Sequence, residues 1–192
     1  MIRILLVDDH PALRAGLTAV LRAEPGLVPL GAAASEEELW PALQRTKPDV
    51  VILDYHLPPA DGLQLCRRIK RTMPPPGVLL YSAYADASLV IPGVLAGADA
   101  VVNKGAPAAD LYDAIRRVGR GDKVMPPISR ELLDEACARL DSEDLPALMM
   151  LLEGNPADEV ARTLGKSGED FAHTIERMIS RLKVDVPAPR AG

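Results

Sequence analysis

The chain has 192 residues, 48% of them hydrophobic, and a formal net charge of −5. That hydrophobic share excludes a disordered chain, and the length lies between one domain and two. No apolar run approaches the roughly 18 residues a membrane helix needs, and the short run before the first acidic pair is no signal peptide, so a soluble cytoplasmic protein is expected. Cys66 and Cys137 lie far apart without metal-type spacing and read as reduced thiols.

In chain order, Ile2-Arg3-Ile4-Leu5-Leu6-Val7 is a first apolar run, ending at Asp8-Asp9. Leu13, Leu17, Val20 and Leu21 then follow helical spacing, and Pro25-Gly26 stops that helix. Residues 27–33 read as an edge strand, the one kind of strand that tolerates Pro29. Ser35 with Glu38 resembles a capping box, and Leu39, Trp40 and Leu43 give the next helix an inward stripe. Val50-Val51-Ile52-Leu53 ends in Asp54. Leu63, Cys66 and Ile69 carry a third helix, stopped by the prolines at 74–76. Val78-Leu79-Leu80-Tyr81 ends in Ser82. The following helical stretch, 86–96, contains Pro92, which should kink it or delay its start. Ala100-Val101-Val102-Asn103 ends in Lys104, and Leu111, Ile115 and Val118 define a fifth helix.

Four short all-apolar runs separated by amphipathic helices argue for buried parallel strands in an α/β sheet. In such sheets the carboxyl ends of the strands line the ligand crevice. Asp8, Asp9, Asp54, Ser82 and Lys104 would therefore meet in one place. Three carboxylates repel one another unless a cation joins them, and with oxygen donors alone that cation is Mg²⁺. His10 and His56 lie close to this group. His10 reads first as the start of a helix, His56 as a control on water access, with a transition-metal role as the alternative for both.

This order of residues resembles the receiver domain of two-component response regulators. The resemblance extends to Asp9-His10-Pro11, Leu57-Pro58, Asp61-Gly62, Gly97-Ala98-Asp99 and Lys104-Gly105. It implies a flavodoxin-like (CheY-like) doubly wound sheet of five strands over residues 1–120. It also implies Asp54 as phosphoacceptor, Asp8 and Asp9 as Mg²⁺ ligands with Asp54 and the Tyr55 backbone carbonyl, Ser82 on the phosphoryl group and Lys104 paired with it. A sensor histidine kinase is the implied donor, and no enzyme activity beyond self-dephosphorylation is implied. The aromatic that such receivers usually carry three residues before the lysine is here Val101. Tyr84, two residues past Ser82, is a candidate for shaping the pocket mouth, with surface packing as the alternative.

Residues 121–140 read as a linker with a short helix over 129–140. In residues 141–186, Leu145, Leu148, Met149 and Leu152 form one helical stripe, Val160, Ala161 and Leu164 a second, and Phe171, Ile175, Met178, Ile179 and Leu182 a third. The glycine-containing turn between the last two is a helix-turn-helix signature. Glu153-Gly154, Glu159-Val160-Ala161, Leu164-Gly165, Ser167, Ile175 and Arg181-Leu182-Lys183-Val184 resemble the LuxR/NarL-type DNA-binding domain, before a tail over 187–192. That resemblance implies a transcription regulator, dimeric when phosphorylated. His173, Arg177, Arg181 and Lys183 would then meet DNA phosphates from a recognition helix over 168–183. Residues 1–120 balance 13 acidic against 13 basic side chains, whereas 121–192 carry 14 against 9. The recognition helix opens on Glu169-Asp170, and Asp158 stands where the family has a basic or amide residue. An acidic footprint faces phosphate badly, so an output module that binds protein instead of DNA is the alternative.

Overall fold

The structure, a computed structural model, describes residues 1–83 and 87–183. Tyr84 and the tail over 187–192 lie outside the described residues.

The chain forms two compact units, Met1–Ala85 with Ala96–Pro126, and Asp86–Leu95 with Pro127–Gly192. In the first unit the elements run β1 (Ile2–Val7), α1 (Pro11–Ala23), β2 (Leu27–Ala33), α2 (Glu36–Thr46), β3 (Val50–Asp54), β4 (His56–Leu57), β5 (Ala60–Asp61), α3 (Gly62–Lys70), β6 (Gly77–Ser82), β7 (Ala100–Asn103) and α5 (Ala108–Val118). Five strands form one sheet in the order β2-β1-β3-β6-β7, and every pairing is parallel. The middle strands are mostly apolar because both faces are covered. Ile4, Leu6, Ile52, Leu79 and Val102 bury one face against Leu17 and Leu21 of α1 and Leu111 and Ile115 of α5. β2 is an edge, and Pro29 sits there, opposite Ile4 where the register shifts.

From β1 the chain steps outward to β2, then crosses to β3 on the other side. The crevice of a doubly wound sheet opens at such a reversal, outside the carboxyl ends of the two strands. Those ends carry Asp8-Asp9 and Asp54.

The second unit contains α4 (Ala87–Leu95), α6 (Arg130–Arg139), α7 (Leu145–Leu152), α8 (Ala157–Thr163) and α9 (Gly168–Leu182). α4 packs against α6, α7 and α9. Pro92 lies inside α4, which begins five residues earlier, so the proline does not delay its start. Phe171, Ile175, Met178, Ile179 and Leu182 of α9 are buried, as the spacing predicts. α7 differs: Ala147, Leu148 and Leu151 face inward while Met149 is 39% exposed. Its sequence, Leu-Pro-Ala-Leu-Met-Met-Leu-Leu, is apolar all round, so periodicity cannot select its buried side.

Trp40 is another difference. It is half-buried instead of core, with its indole N–H donating to Glu36 at 3.1 Å and the Arg68 guanidinium 4.6 Å over its ring.

Candidate functional site

β1 delivers Asp8, which is 6% exposed, and β3 delivers Asp54, which is 3% exposed. β6 ends in Ser82, at 2%. Lys104 follows β7, and its main-chain N–H donates to the Ser82 carbonyl at 2.9 Å, which ties the loop after β7 to the end of β6. From there the Lys104 ammonium reaches Asp8 Oδ2 at 2.6 Å and Asp54 Oδ2 at 2.7 Å. Both are charge-assisted bonds between poorly solvated groups, the stronger kind. The Tyr81 ring lies 5.9 Å from the same ammonium.

The remaining oxygens are positioned by backbone. Asp54 Oδ1 accepts the His56 N–H at 3.1 Å, and Asp8 Oδ1 accepts the His10 N–H at 2.8 Å. Arg14 donates to the Asp8 carbonyl at 2.6 Å, holding the end of β1 to the first turn of α1. Asp9 is treated differently. Its Oδ1 is closed to solvent and accepts no hydrogen bond among the described residues. His10 Nδ1 stands 2.7 Å from that oxygen and 3.2 Å from Asp8 Oδ1.

Burial pushes the Asp54 carboxyl up to about 6, and the nearby Asp8 charge adds to the rise against the opposing pull of Lys104. Burial also acts on Asp8, yet the Lys104 hydrogen bond and the His10 N–H outweigh it and hold that carboxyl below its ordinary value. Burial would lower the Lys104 ammonium, but its bonds to Asp54 and Asp8 raise it. Of these two carboxylates, Asp54 is the one whose charge is less well compensated, and an added cation would relieve it more.

One donor atom from each of Asp8, Asp9, His10 and Asp54 lies within 4.8 Å of all the others. A buried oxygen without a donor, among carboxylates that share one ammonium, fits a divalent cation. The Tyr55 carbonyl, expected beside the metal, accepts the Gly62 N–H at 3.1 Å. A Cβ at position 62 would lie 2.5 Å from that same oxygen, so only glycine lets α3 start here. The N–H and C=O of one extended residue point to the same side. The His56 carbonyl therefore shares the side on which its N–H reaches Asp54.

Residues 4–116 match the response regulator receiver domain family. The chain belongs to this family. Among similar proteins, the transcriptional activator protein ExaE of Pseudomonas putida is 32% identical over 195 residues, covering 94% of this chain and 90% of that one. The DNA-binding transcriptional activator DevR/DosR of Mycobacterium tuberculosis is 28% identical over 203 residues, covering 96% and 90%. A crystal structure of a LuxR-family two-component response regulator from Aurantimonas sp. SI85-9A1 superposes with a TM-score of 0.64 at 30% identity, covering 71% of this chain and 99% of that one. Among the described residues of this response regulator, no helix is long and apolar enough to cross a membrane.

In the C-terminal unit the expected basic residues are distributed unevenly. Arg177 Nη2 lies 2.6 Å from Asp144 Oδ1 and its Nε 3.2 Å from Oδ2, with Glu143 at 3.3 Å. Arg181 meets Asp141 at 2.6 Å. Two of the four residues expected to contact DNA thus hold α9 to the segment before α7. His173 is exposed, with Nδ1 3.7 Å from Glu176, and Lys183 is half-buried, its carbonyl accepting from Arg139 at 3.4 Å. The turn from 164 to 167 leads into α9, whose N-cap Ser167 accepts the Asp170 N–H at 3.1 Å.

Sequence reasoning missed the acidic segment at 141–144 as a partner of α9. The pair Arg177–Asp144 spans 33 residues, and no local pattern reports a contact at that distance. The excess of acid there was the available signal.

Proposed function

We propose that this response regulator takes a phosphoryl group from the phosphohistidine of a sensor histidine kinase onto Asp54 and controls transcription through its C-terminal helices. The carrying observation is the Lys104 ammonium, within 2.7 Å of both Asp8 and Asp54, beside the solvent-closed Asp9 Oδ1. An Asp54 oxygen attacks phosphorus, the phosphorus–nitrogen bond to the kinase imidazole breaks, and that imidazole leaves with the electron pair. Lys104 transfers one of its contacts to the incoming phosphoryl oxygens, and Ser82 donates its hydroxyl there. The His56 N–H keeps the carboxyl group oriented throughout. Asp8, Asp9 and Asp54 would hold Mg²⁺, with a main-chain carbonyl from Tyr55 or His56. When bound, that ion supplies charge neutralisation for the phosphoryl oxygens.

The test is intact mass after incubation with acetyl phosphate and Mg²⁺. One added phosphate is expected on the native chain and none on Asp54→Asn. Modification at equal stoichiometry in that variant overturns the assignment.

For the output, the ExaE and DevR/DosR likeness over nearly the whole chain supports DNA binding. A second reading is favoured by the pairing of Arg177 and Arg181 with Asp144 and Asp141. Under it, the C-terminal helices contact protein instead of DNA. Gel shifts across a salt series separate the two, because DNA affinity falls steeply with salt in proportion to the phosphates neutralised.

A further inference from the structure

The imidazole of His10 has no role in the chemistry above, although it stands among the groups that perform it. Its Nδ1 faces two carboxylate oxygens at once, Asp9 Oδ1 at 2.7 Å and Asp8 Oδ1 at 3.2 Å. Neutral imidazole has one nitrogen that carries a proton and one that carries a lone pair. As an N–H, Nδ1 donates to these oxygens; as a lone pair, it and both oxygens face one point, which a cation would occupy. Adjacent donors of an octahedral ion at about 2.1 Å stand about 3 Å apart, and the two distances bracket that value. The side chain is not committed to the fold in another way. It is the N-cap of α1 but makes no capping bond among the described residues, and it is 58% exposed.

Resting on the metal-site reading above, we propose that His10 Nδ1 is a fourth side-chain donor to the bound ion. The site is then three carboxylates and one imidazole, a set that suits Co²⁺ better than Mg²⁺. Carboxylate and carbonyl oxygens serve Mg²⁺, whereas imidazole adds selectively for the later first-row ions. This makes the phosphoacceptor site responsive to the identity of the available divalent ion, and His10 the residue that sets the response.

The test uses the full chain and titrates Mg²⁺ and Co²⁺ by calorimetry, counting only Co²⁺ that excess Mg²⁺ displaces. Native protein, His10→Ala and His10→Gln are compared, and visible absorption of bound Co²⁺ is recorded for each. The ratio of the Mg²⁺ to the Co²⁺ dissociation constant should fall roughly tenfold or more in both variants, the size typical of a lost metal-supporting group. The Co²⁺ bands should change as a nitrogen donor is lost. An unchanged ratio and spectrum, with both ions still bound, overturns the role of His10 while leaving the metal site standing. A native chain that binds neither ion overturns the metal site itself.

Discussion

Arg177 of α9 and Asp144, just before α7, form a two-bond ion pair, and the Asp144 side chain is fully buried. Replacing both partners of such a pair with apolar residues is often tolerated, whereas removing one leaves an uncompensated charge. Arg177→Ala should therefore lower the melting temperature of the C-terminal helices by several degrees, and Arg177→Met with Asp144→Leu should recover much of the loss. Thermal melts followed by circular dichroism check this. Equal melting of Arg177→Ala and the native chain would mean the pair contributes nothing.

The raised Asp54 carboxyl has a pH signature. Between its ordinary value of 3.8 and about 6 the folded chain keeps a proton that the unfolded chain has released. Stability contributed by Asp54 therefore falls as pH rises through that window, and the penalty stays constant above it. Asp8 has the opposite sign: held below 3.8, it contributes stability that is lost as pH falls. Asp54→Asn should accordingly have a higher urea midpoint than the native chain at pH 7 and a flatter profile from pH 4 to 7. A variant less stable than the native chain at pH 7 contradicts this. In low Mg²⁺ the rate of phosphoryl acceptance should rise through about pH 6, as the nucleophile ionises.

Gly62 is a steric requirement of the site. A Cβ there would lie 2.5 Å from the Tyr55 carbonyl oxygen and 2.7 Å from that of Asp54, both backbone atoms that cannot swing aside. Gly62→Ala should cost roughly 1–3 kcal/mol, the usual range for forcing extra atoms into a packed place. It should also slow phosphorylation by displacing Asp54. Chemical denaturation alongside acetyl phosphate kinetics measures both, and a variant normal in the two would remove the packing argument.

Charge reversal addresses DNA. Asp170 can be changed without losing the N-cap, because Ser167 accepts the main-chain N–H of residue 170. Glu169→Lys with Asp170→Thr should strengthen binding to mixed-sequence DNA at low salt, as repulsion from phosphate is removed. If neither that variant nor the native chain shifts DNA while both stay folded, the protein-binding reading takes over.

Phosphorylation should raise the dimer fraction modestly, acting through Ser82 and the loop after it. Val101 is 4% exposed and has no aromatic ring to swing between positions. Sedimentation at tens of micromolar, with and without beryllofluoride, reads the change. A chain that stays monomeric in both conditions excludes this route.

The receiver was legible because four of its strands are short and mostly apolar and are closed by an aspartate, a serine or a lysine. Asp8, Asp54, Ser82 and Lys104 needed only a parallel sheet to become neighbours. The side of α7 that turns inward was not legible, since every position of that helix is apolar. The ion pairs of Arg177 and Arg181 were not legible for another reason: a basic residue on the last helix looks the same in sequence whether or not it meets an aspartate 33 residues earlier. Trp40 failed similarly, its hydrophobic bulk hiding the Arg68 guanidinium that covers it.

The ammonium that completes the site lies 96 residues after Asp8 and 50 after Asp54 in the chain. During synthesis both carboxylates emerge long before their counter-charge. A nascent receiver whose chain ends before Lys104 holds the nucleophile but not the group that balances it, and its three acids repel. The counter-charge of the site is thus the last of its charged groups to be synthesised, just after the strand that completes the sheet.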